Sequence, residues 1–159
     1  MTGVYALGDV EEKVERIKDW IEMGEKEKKV IIKGDLNARM GELGTRTWGV
    51  DEVEPVEKRR SKDKKVNAEG KKLLKVTEET GWFILNGNIE GEEEGECTEN
   101  AYAGARGESV IDYVLTDEGG KEGTERMEVR ERVDSDHFPL IVSIRGKGEL
   151  EGKSKRKEK

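Results

Sequence analysis

Val30-Ile31-Ile32-Lys33-Gly34-Asp35-Leu36-Asn37-Ala38 sets the frame in which the rest of the chain is read. Its continuous apolar run fits a strand covered on both faces, and the run stops at a glycine. Such a strand delivers an aspartate and an asparagine to its C-terminal end. Upstream, Val10, Val14, Ile17 and Ile21 recur at helical intervals with Trp20 beside them. Asp9 and Glu12 have capping-box spacing and Gly24 closes the segment, so a helix with one apolar face is expected. Val4-Tyr5-Ala6-Leu7 reads as a short strand before it. A strand, helix, strand succession points to α/β layering.

Downstream, Asn67 is placed to cap a second helix that carries Leu73, Leu74 and Val76 and ends at Thr80-Gly81. Trp82-Phe83-Ile84-Leu85 reads as a buried strand, and further strands are expected at about Val110 to Thr116, Met127 to Glu131 and Leu140 to Arg145. Between Arg39 and Val66 the periodicity is lost, and loops of that length in a compact domain are functional or disordered. That loop holds the densest basic stretch of the body of the chain: Lys58, Arg59, Arg60, Lys62, Lys64 and Lys65. It is either a solvated loop or a contact to a phosphate backbone, and the salt dependence of binding separates the two. Glu92-Glu93-Glu94 is expected to be a solvated turn, because adjacent like charges there do not converge on one ion. From Gly146 onward the chain is Gly, Lys and Glu, so residues 1–145 are expected to hold the domain, a partial one, and 146–159 a disordered charged tail.

A chain of 159 residues is ordinarily one domain, and with 32% hydrophobic against 42% charged residues it can bury one modest core. The net charge of -7 argues against a protein held to nucleic acid by its overall field. One histidine and one cysteine exclude an internal disulfide and any multi-cysteine zinc site. Cys97 is expected to be a small, half-buried side chain at a strand start. The N-terminus lacks a signal-peptide pattern and no apolar run approaches the ~20 residues that span a bilayer. The expectation is a soluble protein of the nucleus or cytoplasm, not secreted and without membrane contact. No P-loop, dinucleotide fingerprint or zinc helix occurs.

The chemistry is carried by three motifs. Besides Gly34-Asp35-Leu36-Asn37, Ser109-Val110-Ile111-Asp112-Tyr113-Val114-Leu115 embeds an acid in an apolar strand. Ser135-Asp136-His137-Phe138-Pro139-Leu140 sets the only histidine beside a carboxylate, in a loop that runs into a strand. Asp112 needs a partner, since an unpaired buried carboxylate is costly, and His137 supplies one. A carboxylate that accepts one ring N–H holds the imidazole in a single tautomer. Hydrolysis of a phosphodiester needs a metal, a carboxylate that orients or deprotonates water, and a donor to the growing charge. Hard oxygen donors suit Mg²⁺ or Mn²⁺.

In this order the three motifs resemble the C-terminal half of the endonuclease/exonuclease/phosphatase family, which includes DNase I-like nucleases and apurinic/apyrimidinic endonucleases. The endonuclease domains of non-LTR retrotransposons are the most similar in flavour. Asn67, Gly70 and Leu73-Leu74, the run Gly81-Trp82-Phe83-Ile84-Leu85-Asn86, and Thr98 before the Ser-x-Ile-Asp-Tyr strand all fit them. The likeness runs from about Val4 to Ile144. It implies an α/β fold, a DNase I-like two-sheet sandwich with outer helices, of which this chain holds the C-terminal half. It implies that Asp35 orients or activates water and joins Asp136 in holding Mg²⁺ or Mn²⁺. It further implies that Asn37 bonds the scissile phosphate, that His137 contacts that phosphate, and that Asp112 orients His137. DNA is the implied substrate.

Members of that family begin with a further half that supplies a metal-binding glutamate, another asparagine and one of the two sheets. This chain starts at the strand ahead of Gly34-Asp35-Leu36-Asn37. Impaired activity in isolation is therefore expected, together with an apolar sheet face left bare for the missing half or another partner. The competing expectations are an inactive remnant acting as a binding fragment, and a phosphatase or RNA hydrolase of the same fold.

Overall fold

A computed structural model of the chain describes residues 10–22, 29–45, 57–100, 107–132 and 134–146. The strand expected at Val4 to Leu7, the caps Asp9 and Gly24, and the tail beyond Gly146 lie outside these residues. In chain order the elements are α1 (Val10–Glu22), β1 (Ile31–Asp35), α2 (Ala68–Thr80), β2 (Phe83–Ile84), β3 (Glu99–Asn100), β4 (Glu108–Ser109), β5 (Asp112–Thr116), α3 (Glu118–Gly123), β6 (Thr124–Val129) and β7 (Leu140–Ile144).

β5 is the middle strand of an antiparallel sheet ordered β1-β5-β2, while β3 pairs with β4 and β6 with β7. Because side chains alternate along a strand, each strand of the sheet feeds two separate apolar layers. Ile32, Ile84, Tyr113 and Leu115 pack with Val10 and Val14 of α1 and with Leu73 and Val76 of α2. On the other face Ile31, Leu85 and Val114 pack with Met127 and Val129 of β6 and with Leu140 and Val142 of β7. The two-sided cover that Val30-Ile31-Ile32 predicts is therefore present, with helices on one side and a β ribbon on the other. Among the described residues this sheet has apolar cover on both faces, not the bare face expected for the missing half. Among the described residues the large apolar side chains left in solvent are Val66 and, on the ribbon, Ile141 and Ile144.

α2 is bounded as its sequence predicts. The Asn67 side chain accepts from Gly70 N at 2.8 Å, and Gly81 follows with φ +70°. The same Asn67 oxygen accepts Arg39 N at 2.9 Å, which ties the helix to the segment leaving β1. Gly70 is required here, since a Cβ would sit 1.9 Å from the Arg39 carbonyl oxygen. α3 has no counterpart in the sequence reading. Asp117 caps it through Gly120 N at 2.7 Å, but Gly119, Gly120 and Gly123 give it the composition of a loop.

The described parts of the long loop, 39–45 and 57–66, are folded rather than solvated. Arg39 forks onto Asp63 with bonds of 2.8 and 2.7 Å, and antiparallel bridges join Met40 to Val66 and Thr45 to Lys58. Burial pushes the Asp63 carboxyl up, yet the Arg39 guanidinium and the N–H groups of Val110 and Lys65 hold it below its ordinary range.

Candidate active site

The register of β1 against β5 sets Asp35 directly opposite Asp112. Ile31, Lys33 and Asp35 share a face with Thr116, Val114 and Asp112, the face that carries the ribbon. Like charges directly opposite one another destabilise a sheet unless a cation lies near both. His137 occupies that position. Its Nδ1 is 2.7 Å from Asp112 Oδ2, and its Nε2 is 3.9 Å from Asp35 Oδ2 and 4.0 Å from Asp136 Oδ1. The structure thus brings Asp35 and Asp112 together with the adjacent Asp136 and His137, from three segments widely separated in sequence.

Local pairing holds the histidine in place. Asn100 N donates to Asp136 O at 2.8 Å and Phe138 N to Thr98 O at 2.7 Å, so the loop before β7 is laced to β3. Within the loop His137 N donates to Ser135 Oγ at 3.1 Å. Lys33 Nζ, from β1, donates to Leu140 O at 2.5 Å where β7 begins. Beneath the site the buried Thr98 hydroxyl accepts both Ile111 N and Asp112 N at 3.0 Å. At the end of β1, Asp35 Oδ1 accepts Asn37 N at 2.7 Å, and Asn37 has φ +48°. Asparagine tolerates that left-handed conformation better than most residues. The turn leaves the Asn37 side chain exposed beside Asp35.

The hydrogen bond to Asp112 raises the pKa of His137, and the charges of Asp112, Asp35 and Asp136 act in the same direction against a smaller desolvation. Asp112 is also pushed up, chiefly by burial and further by Asp35, with the His137 bond opposing. The pair therefore keeps its proton on the ring to higher pH than a free histidine would.

Among the described residues two groupings offer ligand atoms within 4.8 Å of one another: Asp35, Asp112 and His137, and Glu99, Asp136 and His137. In the first, Asp112 is already engaged with the ring. The carboxylates not bonded to the ring are Asp35 in the first grouping and Asp136 and Glu99 in the second, and their hard oxygens suit Mg²⁺ or Mn²⁺. Glu99 is absent from the sequence reading. It lies in the two-residue strand β3, with Oε2 accepting Ser109 Oγ at 2.9 Å, and its one sequence signal is its place directly after the motif residue Thr98.

The chain matches half of a DNase I-like endonuclease domain. A solved structure described as the endonuclease domain of TRAS1, a telomere-specific non-LTR retrotransposon, superposes with a TM-score of 0.61 at 26% sequence identity. The match covers 89% of this chain and 54% of that chain, so this protein spans about half the length of the domain it resembles. No protein-family model and no curated protein matches the chain. No helix of the described residues is long and apolar enough to cross a membrane.

In this half of an endonuclease-like domain the basic stretch divides in two. Lys58, Arg60, Lys62, Lys64 and Lys65 are exposed, whereas Arg59 is 1% exposed. The Arg59 guanidinium donates to the carbonyls of Leu43 at 3.0 Å, Asn86 at 3.1 Å and Gly41 at 2.5 Å. Arg59 is therefore a buried brace and not the phosphate contact expected from its neighbours. Glu92 corrects a second expectation. It is 1% exposed, and its carboxylate accepts the N–H groups of Gly87 and Glu96, pinning the turn that was read as solvated. Cys97 is half-buried as expected, and burial pushes its thiol up to about 11.

Proposed function

We propose that this chain is the chemistry-bearing half of a metal-dependent nuclease that hydrolyses phosphodiester bonds in DNA. The convergence of Asp35, Asp136 and Glu99 on an imidazole held by Asp112 supports that reading. A cluster with an oriented, proton-retaining histidine surrounded by acids suits a substrate that carries negative charge and a cation that offsets the acids.

In this reading Asp112 accepts the Nδ1 proton and fixes the ring, so that Nε2 is turned towards Asp35 and Asp136. From there the protonated ring donates to a phosphate oxygen as charge grows on it. Asp35, at a strand end and half exposed, orients the attacking water and takes its proton. Asn37 supplies an amide donor to the scissile phosphate. Asp35, Asp136 and Glu99 are the residues that would hold Mg²⁺ or Mn²⁺, which when bound neutralises the phosphate oxygens and the leaving group.

The test is nicking of supercoiled plasmid with Mg²⁺ by the purified chain, alone and mixed with the N-terminal half of a related endonuclease domain, with His137→Ala in parallel. Nicking in either mixture that disappears in His137→Ala is the expected result. Absence of nicking under both conditions, with the chain folded, would overturn the hydrolase reading in favour of a binding fragment.

A further inference from the structure

From Lys58 to Lys64 the chain alternates without a break: Lys58, Arg60, Lys62 and Lys64 point outward while Arg59, Ser61 and Asp63 are buried. The inward residues anchor the segment. Arg59 braces the carbonyls described above, Ser61 Oγ donates to Asp63 O at 2.9 Å, and Asp63 holds Arg39 and accepts Val110 N at 3.1 Å. The backbone is fixed as well, by Arg59 N to Gly44 O at 3.2 Å, Arg60 N to Gly87 O at 3.2 Å and Lys62 N to Gly95 O at 2.8 Å. The outward residues therefore form a row of exposed cations along the anchored segment, which bends at Lys62. The Asp63–Val110 bond ends this row two residues from Asp112.

The last three cations of the row are each met by an acid. Arg60 pairs with Glu94 at 2.8 Å, Lys62 with Glu96 at 2.7 Å and Lys64 with Glu42 at 2.5 Å. The acids are placed as firmly as the bases. Buried Glu92 holds the turn that carries Glu94 and Glu96, and Gly87 and Gly95 lie so close to the cationic segment that a Cβ would meet Arg60 O at 1.7 and 2.3 Å. Every one of these ion pairs is substantially exposed, with side-chain accessibilities from 42% to 65%. Exposed pairs are weak and are screened by salt, so a polyanion can exchange into them.

We infer that the row Lys58, Arg60, Lys62 and Lys64 is a rail for the phosphodiester backbone of duplex DNA, and that Glu42, Glu94 and Glu96 are its resident competitors, displaced when DNA docks. Only the choice of DNA as the polyanion rests on the nuclease reading. Each acid neutralises one cation in the free protein, and so the three set how tightly DNA is held.

The experiment is fluorescence anisotropy of a labelled 20-base-pair DNA duplex in EDTA, where cleavage does not enter, across a range of salt. Removing the competitors in E42Q/E94Q/E96Q is expected to tighten binding and to steepen the fall of log K with log salt by up to about 2.7, roughly 0.9 for each freed cation. R60Q/K62Q/K64Q is expected to lose most of the binding and most of the slope. E118Q/E122Q/E125Q makes the same change in net charge away from the row and is expected to do much less. The inference is overturned if E42Q/E94Q/E96Q binds like the wild type, if the control variant matches it, or if R60Q/K62Q/K64Q still binds. Should the last variant melt early, Lys62→Gln alone repeats that arm. A chain that nicks neither alone nor with the complementing half but shows these binding differences refutes the hydrolase reading and keeps the rail; one that nicks while all variants bind alike does the reverse.

Discussion

His137 Nδ1 and Asp112 Oδ2 lie 2.7 Å apart, although one residue stands in a loop and the other at the start of the central strand. The short bond fixes which ring nitrogen carries the shared proton and leaves Nε2 to face Asp35. Asp112→Asn keeps the shape but removes the anionic acceptor. Nicking by the chain mixed with the N-terminal half of a related endonuclease domain is expected to fall by at least about 10²-fold, with circular dichroism unchanged. Wild-type activity in Asp112→Asn would mean that the ring needs no such partner.

Thr98 supports the same site from below. Its buried hydroxyl accepts two backbone N–H groups, and Thr98→Val leaves both without an acceptor of equal reach. Urea unfolding is expected to show a loss of about 2 kcal/mol with an unchanged m-value. A smaller loss would point to water entering beneath β5.

Arg59 and Arg60 are adjacent and opposite in consequence. Arg59→Met strips the partners from the carbonyls of Gly41, Leu43 and Asn86 and is expected to cost roughly 3 kcal/mol or more. Arg60→Gln loses one exposed ion pair and is expected to change the unfolding midpoint little. Equal midpoints for the two variants would contradict the brace.

Glu92 gives a pH signature. Burial raises its carboxyl to about 7, even though the N–H groups of Gly87 and Glu96 favour the charged form. A folded pKa above the unfolded one means that its contribution to stability is fully present below the unfolded value of 4.5 and is lost as pH rises through about 7. Glu92→Gln, which cannot ionise, escapes that loss. The difference in Tm, variant minus wild type, is therefore expected to become more positive between pH 5 and pH 8, and a flat difference would show the carboxylate to be charged throughout.

The strands at the site are legible in the sequence because their signals are local. Val30-Ile31-Ile32 is an apolar run that leads to Asp35, and Val110 to Leu115 is one that holds Asp112; these two acids are ones the fold gathers. Asn67 and Gly81 announce the ends of α2 by their own conformational preferences. Arg59 and Glu92 were hidden for the opposite reason. Each stands in a run of like charges, and its burial is decided by carbonyl or N–H groups from other segments, which no neighbour in sequence reveals. α3 was masked by its glycines, two of which serve close packing, Gly120 within 2.5 Å of Val30 O were a Cβ present. Glu99 was missed because β3 is too short to show a period.

The pairing of β1 with β5 also guards the chemistry against error. Side chains on a strand change face at every step, so a slip of one residue would turn Asp35 or Asp112 away from His137 and into the layer beneath α1 and α2. A carboxylate among Val14, Leu73 and Leu115 is not tolerated without a partner. The slipped alignment is therefore penalised by a buried charge, and the same force that assembles the sheet selects the copies in which both acids meet the ring.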